Sequence, residues 1–574
     1  MEYAVLGLAS LLIIVAVATI APKLGVAAPL VLVVVGIACS FIPWVPVVEF
    51  PPELILALVL PPILYSSAVN VPLVDFRRNL KAITSLSVLL VIVSALVSGL
   101  LLYWLLPDLS LAAAIALGAV ISPPDAVAAT SIGKRLGLPP RLVTVLEGEG
   151  LVNDASALVL LRSAVAATAG AVSLWQVAGD FIFAVIGAIV VGIVIGYVTV
   201  WVRSKLDNPV LNTTISFAVP FLAFIPAEEI NASGVLAVVV AGLITGHRSA
   251  KYFSARDRIN ERFNWRTIQF LLENGVFLLM GFELQSLIIQ VKDDNLGVWH
   301  AVALGLVVTV LLIVIRVAFV VPLIAILRRD QRRAIAQAPF LAQALDRLDA
   351  RPVQDERSAR VQNRFRRILS RKQADFDSLA KEGLGWRGGA VLAWSGMRGV
   401  VTLAAAQSLP LDIPYRPQLI LIAFTVAVVT LLAQGGTLPW LIKRLGIVGT
   451  DEAADRAEFS SLVSEISQVG AATLDNPNLA QDDGAPFDPG VIAQVRVASM
   501  KVQEALSEDH ANGHAGPHEQ QRALRLRVLE AERAALLDAR TTGSYSSRIL
   551  DRAQRMLDAE ESRLQYLDEG GAGH

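Results

Sequence analysis

The sequence predicts an all-α membrane protein of about thirteen transmembrane helices followed by a polar helical tail, and three observations carry that prediction. Of 574 residues, 54% are apolar and only 17% charged, against about a quarter charged in soluble domains. The apolar residues gather in runs of roughly 20, the length a helix needs to cross a hydrocarbon core about 30 Å thick. The basic residues lie between runs, on alternate sides. With 49 Lys and Arg against 50 Asp and Glu, the total charge points to no nucleic-acid partner. The single cysteine, Cys39, rules out an intramolecular disulfide framework or a cysteine-based metal centre.

Taken in order, spans 1 and 2 (4–20 and 26–42) are unbroken apolar runs. Met1 to Ile20 lacks a basic leader and a cleavage site, so it reads as a retained first span. Span 3 (53–69) contains Pro61 and Pro62, which lack N–H donors and predict a break. Span 4 covers 82–106, and span 5 (110–131) contains SPPDAVAAT. Span 6 (142–168) contains EGEGLVNDASALVL, and spans 7 to 11 follow at 174–202, 210–226, 231–246, 267–290 and 298–327. Span 12 (388–410) contains WSGMRGVV, and span 13 covers 417–442.

Loop charges set the orientation. Loops after odd-numbered spans hold 32 basic residues, and loops after even-numbered spans hold Lys292 and Arg416 alone. Because cytoplasmic loops are enriched in Lys and Arg, the N-terminus is expected outside and the C-terminus in the cytoplasm. Two polar pieces remain. Residues 328–387, with 15 basic and 8 acidic side chains, read as a partly helical cytoplasmic loop of the 1–445 membrane domain. Residues 446–574 read as a cytoplasmic tail, with a Gly- and Pro-containing linker near 476–490 and helix-like stretches at 491–508 and 519–567. His510, His514 and His518 have helical ligand spacing, but Gly513, Gly516 and Pro517 favour a linker over a metal site.

Charges inside apolar runs mark where chemistry sits, since each costs at least about 3 kcal/mol at mid-membrane. Among the acids inside or near them are Asp125, Glu147, Glu149, Asp154 and Glu273, and the bases within them are Arg162, Arg316 and Arg398. Arg162, near a helix end, is expected to snorkel to the interface. On span 6, Glu147 and Asp154 share a face at i, i+7, while Glu149 and Asn153 are neighbours at i, i+4. Glu149 has a plausible permanent partner in Arg316, which leaves Asp154 as the carboxylate suited to hold a proton and a cation in turn. On span 5, Pro123 and Pro124 deprive the carbonyls of Ala119 and Val120 of helical donors beside Asp125, an arrangement that suits a cation. On span 12, Gly396 and Gly399 bracket Arg398, whose charge can offset carbonyl dipoles at a second interruption. Spans 5 and 12 are seven apart, so they run in opposite directions. This is the pattern of an inverted repeat, spans 1–6 against 8–13, with its site where broken helices cross.

SPPDAVAAT, EGEGLVNDASALVL, the span containing VIRVAF, and GMRGVVTLAAA together resemble cation/proton antiporter family 1, the sodium/proton exchangers and their bacterial relatives, over residues 1–445. The resemblance implies that Asp154 binds the cation or proton and that Asn153 is its helix partner. It places Asp125 at the crossing, pairs Glu149 with Arg316, and gives Arg398 the role of stabilising the crossing. It further implies a homodimer in which spans 4–6 and 11–13 move elevator-like, and it matches Glu228 to an acid found before SG on span 9. Three positions depart from members with a sodium site: Pro124 for Thr, Gly150 for Ser, and Ser66 for an acid on span 3.

The expected activity is electroneutral 1:1 exchange of a monovalent cation, Na⁺ foremost, for H⁺ across the cell membrane, with a K⁺/H⁺ antiporter as the alternative. A cation channel or a membrane-anchored sensor fits less well, because paired broken helices within one chain favour a transporter. No P-loop, nucleophile motif or dinucleotide fingerprint points to an enzyme, and no cofactor is expected beyond the transported cation and H⁺.

Overall fold

The computed structural model describes residues 2–43, 51–169, 174–292, 297–350, 355–381 and 384–447, and shorter stretches between 461 and 564. Two compact units result, Met1–Ile447 and Val448–His574.

In the first unit the regular elements are helices: α1 (Glu2–Ile20), α2 (Ala28–Ser40), α3 (Leu60–Asn70), α4 (Leu73–Arg78), α5 (Leu80–Thr84), α6 (Leu90–Leu105), α7 (Leu111–Ile121) and α8 (Ala126–Arg135). They continue with α9 (Pro140–Ala169), α10 (Leu174–Arg203), α11 (Pro209–Glu229), α12 (Gly234–Tyr252), α13 (Ala255–Phe282) and α14 (Leu284–Lys292). The last are α15 (Val298–Asp349), α16 (Glu356–Lys381), α17 (Trp386–Trp394), α18 (Val400–Gln407) and α19 (Arg416–Leu445). Among the described residues, eight helices are long and apolar enough to cross a membrane, and Ala4–Ile20, Ala28–Ser40 and Leu54–Asn70 are shorter apolar helices. Local chemistry sets several starts: Ser110, Asp125, Asn208, Ser233 and Ser254 cap α7, α8, α11, α12 and α13 by accepting a first-turn N–H, satisfying donors that the helix itself cannot.

Many large apolar side chains face outward, including Leu8, Ile186, Val190 and Val310. Such a surface is stable against lipid and aggregates in water. Exposed tryptophans lie at or near helix ends, as at Trp104, Trp175, Trp201, Trp299, Trp386 and Trp440, where an amphipathic ring suits the membrane–water interface.

Two packing groups surround the site. Helices α6–α9, α15 and α17–α19 pack on one another, and α18 and α19 both touch α7. Helices α3 and α10–α12 form a second group, with Tyr65, Ala188, Val219 and Val238 in its core. Between them, α13 contacts α2, α3, α11 and α18.

Three expectations about elements are corrected. Pro61 and Pro62 do not break the third span, because a π-helical segment, Leu54–Val59, runs directly into α3. There Leu60 donates to the carbonyl of Ile55, and the wider turn absorbs the clash that a proline imposes. Residues 328–387, expected as a partly helical loop, are helical over most of their described length: α15 runs on from the eleventh span through 52 residues in all, about 78 Å at 1.5 Å per residue, and packs along α16. Lys81 joins Asp330 at 2.5 Å, and Arg78 joins Asp375 at 2.8 Å, fastening this helical pair to the chain around α4 and α5. The tenth span begins earlier than expected, at Ala255, and is divided at Glu283 between α13 and α14.

The second unit is helical at 489–497 and 524–532, where Arg496 pairs with Asp475 at 2.6 Å and Arg525 with Glu560 at 2.8 Å. His510, His514 and His518, and most of the expected helix at 519–567, lie outside the described residues.

Candidate ion-binding site

The interruption between α7 and α8 spans Ser122 to Asp125, and that between α17 and α18 spans Ser395 to Gly399. Prolines cannot donate, and the backbone freedom of Gly396 and Gly399 disfavours continued helix, so neither stretch closes a helical ladder. The two stretches meet. Asp125 donates its N–H to the carbonyl of Met397 at 2.6 Å, while the Arg398 N–H is taken up by Thr430 Oγ1 of α19 at 3.0 Å.

Arg398 is buried and spends its guanidinium on backbone. Nε donates to Ile121 O at 3.1 Å, Nη2 to Ser122 O at 3.4 Å, and Nη1 to Gly396 O. One cation thus serves the carbonyl end of α7, where the helix dipole is negative. The double proline predicts freed carbonyls at Ala119 and Val120. The carbonyls that receive partners from outside their own helix are instead Ile121, Ser122 and Pro124, because α7 ends at Ile121.

Helix α9 brings four polar positions to this crossing and separates their roles. Glu149 accepts from Arg316 Nη1 at 2.5 Å and Nη2 at 2.9 Å, while Arg316 Nε donates to Leu392 O at 2.9 Å. Both side chains are almost completely buried, so the pair is sealed. Asn153 is not paired with Glu149 along the helix; its Nδ2 donates to Pro124 O at 2.5 Å, and its buried Oδ1 has no bonded partner. Glu147, a turn or two nearer the start of α9, joins Lys134 at the end of α8 at 2.6 Å, so it has a base of its own.

Asp154 is left facing a pocket lined by Val120, Pro123, Ala157, Leu158, Leu161, Val401 and Ala405. Among the described residues no Lys or Arg is paired with it. Asp125, the cap of α8, accepts from Val127 N at 2.8 Å and likewise has no bonded cation. Two carboxylates without counter-ions at membrane depth are costly, and each can be neutralised by a proton or a monovalent cation.

The glycines are spatial requirements. A Cβ at Gly399 would run into the Asp125 carboxylate, and one at Gly396 would stand 2.6 Å from Arg316 Cδ. Gly150 lies against α8, where a Cβ would sit 2.6 Å from Ala126 Cβ.

Several partnerships were not read from the sequence. Arg162, half exposed, bonds Glu228, which also accepts from Gly234 N at 2.8 Å. Glu273 was visible as an acid in an apolar run but had no assigned partner; Gln269, one turn earlier, was the available signal, and the two are bonded at 2.7 Å. Thr430 and the Met397 carbonyl left no sequence signal, since threonine and backbone are unremarkable in any helix.

Comparison with known proteins is consistent with this geometry. The family model for sodium/hydrogen exchangers, transmembrane, matches residues 9–444. The chain is 28% identical to an uncharacterized Na⁺/H⁺ exchanger of Mycobacterium tuberculosis over 584 aligned residues, covering 99% of this chain and 98% of that one. It is 32% identical over 275 residues to a sodium, potassium, lithium and rubidium/H⁺ antiporter of Bacillus subtilis, covering 46% of this chain and 41% of that one. In fold it is similar to the sodium proton antiporter MjNhaP1 of Methanocaldococcus jannaschii, with a TM-score of 0.53 at 18% identity, covering 78% of this chain and 99% of that one. A helical chain whose crossing gathers unpaired carboxylates, and which matches the family model over most of its length, belongs to the transmembrane sodium/hydrogen exchanger family of multi-pass monovalent cation/proton antiporters.

Proposed function

We propose that the protein is a secondary active antiporter exchanging cytoplasmic Na⁺, or another monovalent cation, for external H⁺ with 1:1 stoichiometry. Asp154 carries either ion, Asp125 and Asn153 complete the site, and Pro123, Pro124, Gly396 and Gly399 keep the backbone open around it. The observation that carries this reading is the contrast along α9: Glu149 is consumed by Arg316, whereas Asp154 lines an otherwise apolar pocket and, among the described residues, is paired with no Lys or Arg. A single exchangeable carboxylate that must be neutral to move favours equal charge in both directions.

Thirteen spans with the N-terminus outside and the tail inside, arranged as inverted repeats, fit the charge alternation of the loops. Alternating access then takes an elevator form within a homodimer, with α6–α9, α15 and α17–α19 as the moving part.

Exchange of K⁺ as well as Na⁺ is favoured by a specific set of contacts. Ser66 donates to Gln269 at 2.7 Å, and Gly150 and Pro124 carry no side-chain oxygen, so the three positions offer at most one hydroxyl in place of a carboxylate and two hydroxyls. Selectivity between cations rests on ligand number and cavity size. The name of the Bacillus subtilis relative, which includes both sodium and potassium, supports broad selectivity here.

Proteoliposomes with an internal pH dye test the proposal. Na⁺, K⁺ and Li⁺ pulses should each move protons, with modest differences among them. Proton flux that ignores all three cations would refute it.

A further inference from the structure

We propose that two side-chain links, Gln407 with Glu283 and Arg162 with Glu228, form the gate that closes the Asp154 pocket on the face of the membrane opposite the basic loops. The proposal rests on the antiport reading above, with α9 and α18 in the moving part, and assigns a role to four residues outside the crossing.

Register along two helices carries the argument. Helix α9 starts beside the loop of Lys134 and Arg135 and runs toward the opposite face, passing Asp154 and then Ala157, Leu158 and Leu161, all of which line the pocket. Helix α18 starts at the crossing and runs the same way, adding Val401 and Ala405 to the lining. The pocket therefore extends from Asp154 away from the basic loops, between apolar walls. Arg162 is the next residue of α9, and Gln407 lies two residues beyond Ala405 on α18, so both links begin where the lining ends.

Each link joins the moving part to a helix outside it. Gln407 Nε2 donates to Glu283 Oε2 at 2.9 Å, and Glu283 is buried where α13 gives way to α14. Arg416 braces this link: its Nη2 donates to the Gln407 carbonyl at 2.6 Å and its Nε to the Leu409 carbonyl at 2.8 Å, holding the last turn of α18 with a cation at its negative end. Arg162, half exposed, bonds Glu228 in the last turn of α11, whose other oxygen accepts from Gly234 N at 2.8 Å and ties the pair to α12. A shift of α9 and α18 past α11 and α13 must break both links. While they hold, the apolar walls stay together and water does not reach Asp154 from that face. On the basic-loop face, Arg135 of α8 donates to the Gly25 carbonyl at 2.8 Å from an exposed position, a bond for which water competes.

The test reads access rather than flux. In the full-length protein carrying Cys39→Ser, the thiol introduced by Leu158→Cys reports on the pocket, with Ala157→Cys on the same lining as the reporter if the first does not fold. A membrane-impermeant methanethiosulfonate is applied to intact cells, where it reaches the face opposite the basic loops, and separately to inverted vesicles. Gln407→Leu combined with Glu283→Leu removes the buried link without stranding a polar partner. It should raise the labelling rate in intact cells about fivefold, the population shift that one lost hydrogen bond of ordinary net strength produces. Arg162→Met should add a smaller increase, because a half-exposed pair is worth less. Labelling in inverted vesicles should not rise. Glu283→Gln keeps an acceptor for Gln407 and should label at the wild-type rate, which a role for the charge itself would not allow. An unchanged rate in the Gln407→Leu, Glu283→Leu protein, or equal rises from both faces as general loosening would give, overturns the proposal. Cation-driven proton flux of the wild type is measured in parallel: its absence removes the antiport reading, while side-specific labelling still judges the gate.

Discussion

The N–H of Asp125 and the carbonyl of Met397 are 2.6 Å apart and bonded, which ties the two helix interruptions together through backbone alone. A substitution cannot delete that bond directly, but a neighbour can wedge it. Gly399 is two residues from Met397, and any side chain there meets the Asp125 carboxylate.

Gly399→Ala is therefore expected to abolish or nearly abolish cation-driven proton flux and to lower stability by about 1–3 kcal/mol, the usual cost of overpacking. Flux assays and detergent melting curves check it. Wild-type flux in this variant would mean that the Asp125 carboxylate can swing away without loss.

The Glu149–Arg316 pair predicts strong destabilisation by single removal. Glu149→Gln or Arg316→Met alone leaves its partner's charge buried, at a cost of about 3–5 kcal/mol, whereas the double variant should be less damaged than the sum because no unpaired charge remains. A double-mutant cycle measured by thermal or denaturant unfolding decides it. Additive losses would show that the two charges do not depend on each other.

Gly150→Ser is expected to impair transport, even though it adds an oxygen four residues before Asp154. A Cβ at that position would lie 2.6 Å from Ala126 Cβ, displacing the start of α8 and with it Asp125. Ala126→Gly in the same chain should restore a substantial part of the activity by making room. Improved Na⁺ affinity in the single variant would show that α8 yields easily at this contact.

Asp154→Asn should remove exchange while leaving a folded protein, because the amide keeps shape but cannot take up or release a proton near neutral pH. In the wild type, protons and cations compete for one carboxylate. Lowering pH should therefore raise the apparent cation KM before it reduces the maximal rate. An imposed membrane potential at equal ion gradients should drive no net exchange. A potential-driven flux would require a second titrating acid, with Asp125 and Glu273 the next to examine.

The sequence by itself determined the class of protein, the helical runs, and which charges had to be explained, because an apolar run of about 20 residues has few other uses and each buried charge within it demands a partner or a function. It also pointed to Glu149 with Arg316, an acid and an arginine that apolar spans bury and that can cancel each other's charge. What it left to tertiary structure were pairings between helices far apart in the chain. Helical spacing placed Glu147 with Asp154 and Glu149 with Asn153, yet Lys134 and Arg316 from other helices, and the Pro124 carbonyl from the interruption between α7 and α8, took three of those four groups. Double proline read alike at 61–62 and 123–124, but only the second pair interrupts its helix. In the first, a π-helical turn accommodates the missing donors; in the second, Arg398 and Asn153 hold the freed carbonyls of an open strand of backbone. Local pattern states what each residue requires, and only packing decides which distant group meets the requirement.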